Sequence, residues 1–304
     1  MMQSISIKVG KCPRLFGTSA LILAVLAQGW NIIGGYTGYS SFGNSVFYGL
    51  GGYGVAIGMV QFQWPFAAGL ALGIALALAF ALLIGLPVLR LRGHYFAIAS
   101  LVVAEVLREL VNSATDLTGG GMGLNLPVPR MASVQAQAVF FYYAMLILAA
   151  VTLAAMILTT HSKLGFGLRC IKQNESAADM LGVNTTFYKV SGFMLSGVFV
   201  GFAGAIYASW VHYIEPPDVF DVLYSIKPVV MVLLGGLGSV FGPLLGAGLY
   251  LSLEELVWRR FLEVHTGVLG LLIVLLVVFL PRGLIALRRA PGAAQEKPLS
   301  RVKA

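Results

Sequence analysis

Residues 161–189 read HSKLGFGLRCIKQNESAADMLGVNTTFYK, a long polar stretch between two strongly apolar segments. Within it Lys163, Arg169, Lys172 and Lys189 stand against Glu175 and Asp179. Positive charge gathered in a short loop between apolar segments marks the cytoplasmic side of a membrane protein. Asn174 suits a helix cap, Ala177, Ala178 and Leu181 fall on one helical face, and Gly182 stands where a left-handed stop is needed. Asn184, Thr185 and Thr186 then cap the apolar segment that begins near Tyr188. The stretch predicts a small amphipathic helix held at the cytosolic surface between two spans, either as a docking device or as an ordinary interfacial loop helix.

The rest of the 304-residue chain fits a polytopic membrane protein. It is 58% hydrophobic and only 11% charged, with a mean hydropathy of +0.87, whereas soluble domains carry about 25% charged residues. The net charge of +8 comes from 20 Lys and Arg against 12 Asp and Glu. The basic residues lie mostly in loops and tails beside apolar segments and have no interleaved aromatic residues. They read as topology determinants and lipid headgroup contacts, and nucleic acid is excluded as a partner. Cys12 and Cys170 fall in stretches expected to face the reducing cytoplasm and lack any metal-ligand spacing.

Working outward, residues 1–14 carry Lys8, Lys11 and Arg14 and read as a cytoplasmic N-terminus before an apolar run from Leu15 to Ile33. That run is a first transmembrane helix, the alternative being a secretory signal cut near Ala27. Gly34 to Gly58 is apolar but dense in glycine, each costing a helix about 1 kcal/mol relative to alanine. It reads as a broken or re-entrant element buried in protein, or else as a glycine-rich helix packed closely on its neighbours. Phe66 to Leu89 is a span ending at Arg90 and Arg92, and Tyr95 to Val111 returns outward to a loop whose one basic residue is Arg130. Ala138 to Leu158 leads back to the 161–189 loop, and Val190 to Val211 leaves it for a segment with Glu215, Asp218 and Asp221. Ser225 to Leu253 repeats the glycine-rich theme, and Gly238-Ser-Val-Phe-Gly242 echoes Tyr39-Ser-Ser-Phe-Gly43. Paired broken elements of this kind point to a transport site, so a weak internal repeat is expected. A last span at Gly267 to Leu280 precedes a basic tail, 282–304, that must be cytoplasmic. The expectation is an all-α membrane domain covering 1–304, with both termini inside and about eight to ten helical pieces, two of them broken.

The chain carries no phosphate-binding loop of the G-x-x-x-x-G-K-[ST] kind. No triad, H-E-x-x-H or paired carboxylates stand out, and the four histidines are scattered near span ends. No catalytic or metal site is expected. The polar residues of the two glycine-rich elements, Ser41, Asn44 and Ser239, are candidates for lining a translocation path. Glu105 joins them, since a charge at the centre of a span costs about 2.5–3.5 kcal/mol and should face a partner or a wet cavity. It meets either the ammonium group of a passing solute or, locally, Arg108 and Glu109.

Glu175-Ser-Ala-Ala-Asp-Met-Leu-Gly182 resembles the E-x-A-A-x-x-x-G coupling loop of membrane subunits of ABC importers. Leu89-Arg-Leu-Arg-Gly-His-Tyr-Phe-Ala-Ile-Ala-Ser-Leu, Ala104-Glu-Val-Leu-Arg108, Asp116-Leu-Thr-Gly-Gly-Gly121 and Met231-Val-Leu-Leu-Gly-Gly-Leu-Gly-Ser-Val-Phe-Gly-Pro243 are similar, in order, to the LivM-type permease subunits of branched-chain amino acid and amide importers. The resemblance implies a permease of the bacterial inner membrane, paired with a LivH-type sister permease. It implies two ATP-binding cassette subunits holding ATP and Mg, so that no cofactor belongs to this chain, and an extracytoplasmic binding protein. Asn174, Glu175, Ala177, Ala178, Leu181 and Gly182 would engage the ATPase, with the two alanines small enough for close approach. Glu215, Asp218 and Asp221 would steer the binding protein. A secondary transporter or channel for a small polar solute is the competing class.

Overall fold

A computed structural model describes residues 13–91, 93–127 and 134–260, with Gly267 and Gly270 besides. Apart from Gly267 and Gly270, the expected last span and basic tail therefore lie outside the described residues, as do Cys12, Arg92 and Arg130.

The first helix, α1 (Pro13–Trp30), continues through a π-helical turn, Asn31–Gly35, and the chain then unwinds over residues 38–43. Next come α2 (Asn44–Val60), α3 (Phe66–Leu83), the short α4 (Gly85–Val88) and α5 (His94–Ser113). After α6 (Thr115–Thr118) and a two-residue strand, β1 (Leu124–Asn125), the long α7 (Val134–His161) leads to α8 (Lys163–Gln173) and α9 (Glu175–Met180). α10 (Thr185–Val211) ends at β2 (Tyr213–Ile214), followed by α11 (Pro216–Val219), α12 (Leu223–Gly235) and α13 (Gly242–Arg260). Among the described residues, four helices are long and apolar enough to cross a membrane: Gly17–Gly35, Phe66–Val88, Gln135–His161 and Thr185–Val211.

Close contacts give the helix directions. Gly17 packs on Tyr142 and the Tyr36 hydroxyl meets Thr160 Oγ1 at 2.8 Å, so α1 and α7 run the same way. Gly29 faces Val200 while Ile33 faces Gly192, so α10 runs opposite to α1. α2 runs with α10, and α3 returns against α2. One end of the bundle therefore carries α8 and α9, and the other carries the antiparallel β1–β2 pair, Leu124 on Ile214 and Asn125 on Tyr213. We call these the coupling end and the β end. Gly17 lies towards the β end. Pro13 and Arg14, at the start of α1, therefore lie at the opposite end from 161–189, while the rest of the basic N-terminal stretch, residues 1–12, lies outside the described residues. The packing of α1 along α7 and α10 sets its direction.

The centre of the bundle is α2, held between α3 and α10 by small residues. A Cβ on Gly51 would lie 2.0 Å from the Gly201 carbonyl oxygen, and one on Gly54 would lie 2.1 Å from the Gly73 Cα. Backbones this close need residues without bulk, as in other membrane helix pairs. On α3, the buried positions Gly69, Gly73, Ala77 and Ala81 form a stripe at spacing four, while Leu76, Leu82 and Leu83 are exposed. The glycine-rich stretch 34–58 is thus two things. Residues 38–43 are broken as expected, whereas 44–60 form a regular helix whose glycines serve close packing.

The second glycine-rich region is also a break followed by a hairpin. After β2 the chain dips inward through α11, placing Phe220 against Gly49 and stacked on Tyr53 at 5.9 Å. α12 then runs to the coupling end, turns over 236–241 with Gly236 at φ +121° and Gly238 at φ +75°, and returns as α13.

Candidate functional site

At the coupling end three helix starts follow one another, each capped by the side chain the sequence offers. Ser162 Oγ accepts from Gly165 N at 3.4 Å, Asn174 Oδ1 from Ala177 N at 3.0 Å, and Asn184 Oδ1 from Phe187 N at 3.0 Å. Each bond satisfies an amide that the first helical turn leaves open. Gly182 adopts φ +84° and closes α9 through Gly182 N to Asp179 O and Val183 N to Ala178 O. The expected helix and its left-handed stop are both present.

The face of that helix is not the expected one. Ala178 is 3% exposed and turned into the protein, while Met180 and Leu181 project at 82% and 83%. The helix ends at Met180 and the backbone reverses at Gly182, which swings Leu181 away from the Ala178 face. The outward tip is Met180 and Leu181, and the rings of Phe166 and Phe187 are also exposed. Beside it lies a groove of about 490 Å³ bordered by His161, Lys163, Phe166, Leu181 and Tyr188 among others.

Glu175 faces inward. Its Oε1 accepts from Lys189 Nζ at 2.8 Å, and its Oε2 accepts from the Tyr39 hydroxyl. Lys189, 3% exposed, also donates to the Leu89 carbonyl at 2.7 Å and sits 4.8 Å from the Tyr39 ring centre. A buried ion pair is tolerated when the remaining donors and acceptors are also satisfied, as these are. Nearby, Lys172 donates to the Gly35 carbonyl at 2.7 Å, and burial holds its ammonium below the usual lysine range.

The two glycine-rich turns meet at this end. Asn31 Nδ2 donates to the Ser239 carbonyl at 2.9 Å, and Asn31 Oδ1 accepts from Gly238 N at 3.0 Å. One layer further in, Ser225 Oγ donates to the Phe42 carbonyl at 2.6 Å and accepts from Ser45 N at 3.0 Å. Of the candidate path residues, Ser41 and Asn44 are buried and brace the break: Trp30 Nε1 donates to the Ser41 carbonyl at 2.7 Å, and Asn44 Nδ2 donates to the Leu26 carbonyl at 3.1 Å. Ser239 lies in the facing turn and donates to the Gly236 carbonyl at 2.6 Å. Glu105 stands apart on α5, half exposed and paired with Arg108 at 3.0 Å.

Glu215, Asp218 and Asp221 all lie at the β end, around α11. Asp221 Oδ1 accepts from Leu223 N at 2.9 Å and starts α12, while the Tyr213 hydroxyl reaches Glu215 at 3.3 Å. Burial, with Glu215 and Asp221 close by, pushes the Asp218 carboxyl above its usual range.

A family model for the permease component of branched-chain amino acid transport systems matches residues 15–278. The chain belongs to this family. Over 297 residues the permease is 30% identical to the high-affinity branched-chain amino acid transport system permease protein LivM of Salmonella typhimurium, covering 90% of this chain and 69% of that protein. It is 29% identical to LivM of Escherichia coli K12 with the same coverage. It also matches LivH of Escherichia coli K12 at 27% identity over 135 residues, 44% of this chain and 43% of that one. The permease is a polytopic helical membrane protein and a transport component.

Sequence reasoning missed Tyr39, Asn31, Lys172 and Lys189 as partners across the coupling end of this permease. Lys172 and Lys189 were read only as topology charges. The signal available was the placement of a tyrosine and an asparagine in otherwise apolar, glycine-rich sequence, where a lone polar group needs a partner.

Proposed function

We propose that this permease forms one half of the membrane path of an ATP-driven importer for branched-chain amino acids or related small amides. A LivH-type sister permease supplies the other half in the bacterial inner membrane, and two ATP-hydrolysing subunits, which hold ATP and Mg, dock at the coupling end. An extracytoplasmic binding protein delivers the solute at the β end, where Glu215, Asp218 and Asp221 favour its approach. The observation that carries this reading is α9 itself: a capped helix whose apolar tip, Met180 and Leu181, is exposed while its first residue, Glu175, is fixed inside the bundle. Exposed apolar side chains on a rigidly seated element suit a protein partner. Ser41, Asn44 and Ser239 set the shape of the path by holding its broken elements.

The test is reconstitution of the permease with its co-purifying subunits in proteoliposomes. Labelled leucine, other amino acids, amides and urea are offered with binding protein, with and without ATP. ATP-dependent uptake of a branched-chain amino acid is the expected result. Uptake driven by an ion gradient without ATP would overturn the proposal in favour of a secondary transporter.

A further inference from the structure

We infer that the Tyr39 hydroxyl is the joint through which movement of α9 reaches the unwound segment 38–43, and hence a positioning residue for coupling. The inference rests on the reading of α9 as the helix that docks the ATPase. Glu175 is the first residue of α9, and both its carboxylate oxygens bond to groups outside that helix: Lys189 on α10 and Tyr39 in the break. Lys189 extends the same node to the carbonyl of Leu89, just beyond α4. A shift of α9 therefore cannot occur without displacing Tyr39 or breaking a charge-assisted bond, the stronger class of hydrogen bond.

What lies behind Tyr39 determines where the shift goes. Over 38–43 the backbone has left the helical ladder and is tethered largely by side chains. Tyr39 N donates to Thr37 Oγ1 at 3.2 Å, Phe42 N to Ser100 Oγ on α5 at 2.9 Å, and Ser225 Oγ on α12 to the Phe42 carbonyl at 2.6 Å. Such tethers exchange partners at lower cost than a helical ladder. Displacement of Tyr39 is thus passed within three residues to the starts of α2 and α12, which Ser225 ties together through Phe42 and Ser45. The Tyr39 ring also packs edge-on against Phe96 of α5 at 5.3 Å, so the joint is laterally confined. A simple brace for the loop would not need a carboxylate supplied by the docking helix, because serine and threonine already hold this segment.

The test is Tyr39→Phe in the full complex in proteoliposomes, with leucine uptake and ATP hydrolysis measured together. The variant keeps the ring, and Glu175 keeps Lys189, so the fold is retained. A hydrogen bond to a charged group is worth about tenfold or more in an equilibrium constant. The expected result is therefore roughly a tenfold rise in ATP hydrolysed per leucine imported, with the ATPase subunits still bound. Lower thermal stability with an unchanged ratio would overturn the inference, since that is what a brace gives. Should Tyr39→Phe assemble poorly, the ratio is taken per assembled complex, and Glu175→Gln must raise it as well; a normal ratio there is equally fatal. A parallel arm, Met180→Glu with Leu181→Glu, tests the docking reading itself. If that variant still binds its ATPase subunits, the docking reading fails, whatever Tyr39→Phe does.

Discussion

The permease contains two kinds of glycine-rich region with similar composition and opposite uses. Along α2, α3 and α10, glycine brings regular helices together: a Cβ on Gly204 would lie 1.9 Å from the Tyr48 carbonyl oxygen. In 38–43 and 236–241, glycine lets the chain leave the helix, at Gly38, Gly236 and Gly238, all with positive φ. The difference shows that glycine density by itself predicts neither packing nor a break. What separates the two is the partner supplied to the backbone: another helix in the first case, and side chains such as Asn31, Ser225 and Ser100 in the second.

The largest expected effect comes from the node that anchors the broken region. Lys189→Met leaves Glu175 inside without its cation and should cost about 3–5 kcal/mol, read as lost yield and a lower unfolding temperature in detergent. Near-normal stability would mean that the break does not depend on this node. Gly204→Ala tests the packed region. It forces apart two backbones and should cost about 1–3 kcal/mol by the same measurement. Gly182→Ala separates conformation from contact, since a Cβ there meets nothing within 4 Å and the residue is held at φ +84°. It should cost about 1 kcal/mol, the penalty of a left-handed non-glycine residue. If Gly204→Ala proved no worse than Gly182→Ala, the distinction between the two uses would collapse.

Glu105 and Asp218 lie outside both regions and should behave accordingly. Glu105→Gln loses a half-exposed ion pair, so stability should fall by less than about 1 kcal/mol and uptake per complex should stay near wild type. A clear fall in uptake at unchanged stability would instead place this carboxylate on the path. Asp218→Asn should slow capture of the binding protein about threefold at low ionic strength and much less in high salt, measured by stopped-flow mixing. An equal rate in both would remove the steering role.

The legibility of the sequence follows the same division. The apolar spans, the capped α9 and its stop at Gly182 were readable because caps and hydropathy are local. The break at 38–43 was readable only in outline, since the sequence of 34–58 does not reveal that helicity resumes at Asn44; contact with Gly201 and Gly73 decides that. The inward turn of Ala178 could not be read either, because it depends on where Val183 folds back. The direction of α1 is set by its packing on α7 and α10, long-range contacts that no local charge pattern encodes.

The stripe on α3 has one more consequence. Gly69, Gly73, Ala77 and Ala81 are its buried positions, and leucines and phenylalanine cover much of the rest. A saturating mutational scan of α3 should therefore produce a barcode: intolerance recurring every fourth residue, separated by exposed positions such as Leu76, Leu82 and Leu83 that accept almost any apolar side chain. For this helix the inheritable information is concentrated in the four small residues of the stripe, and the exposed leucines are largely interchangeable.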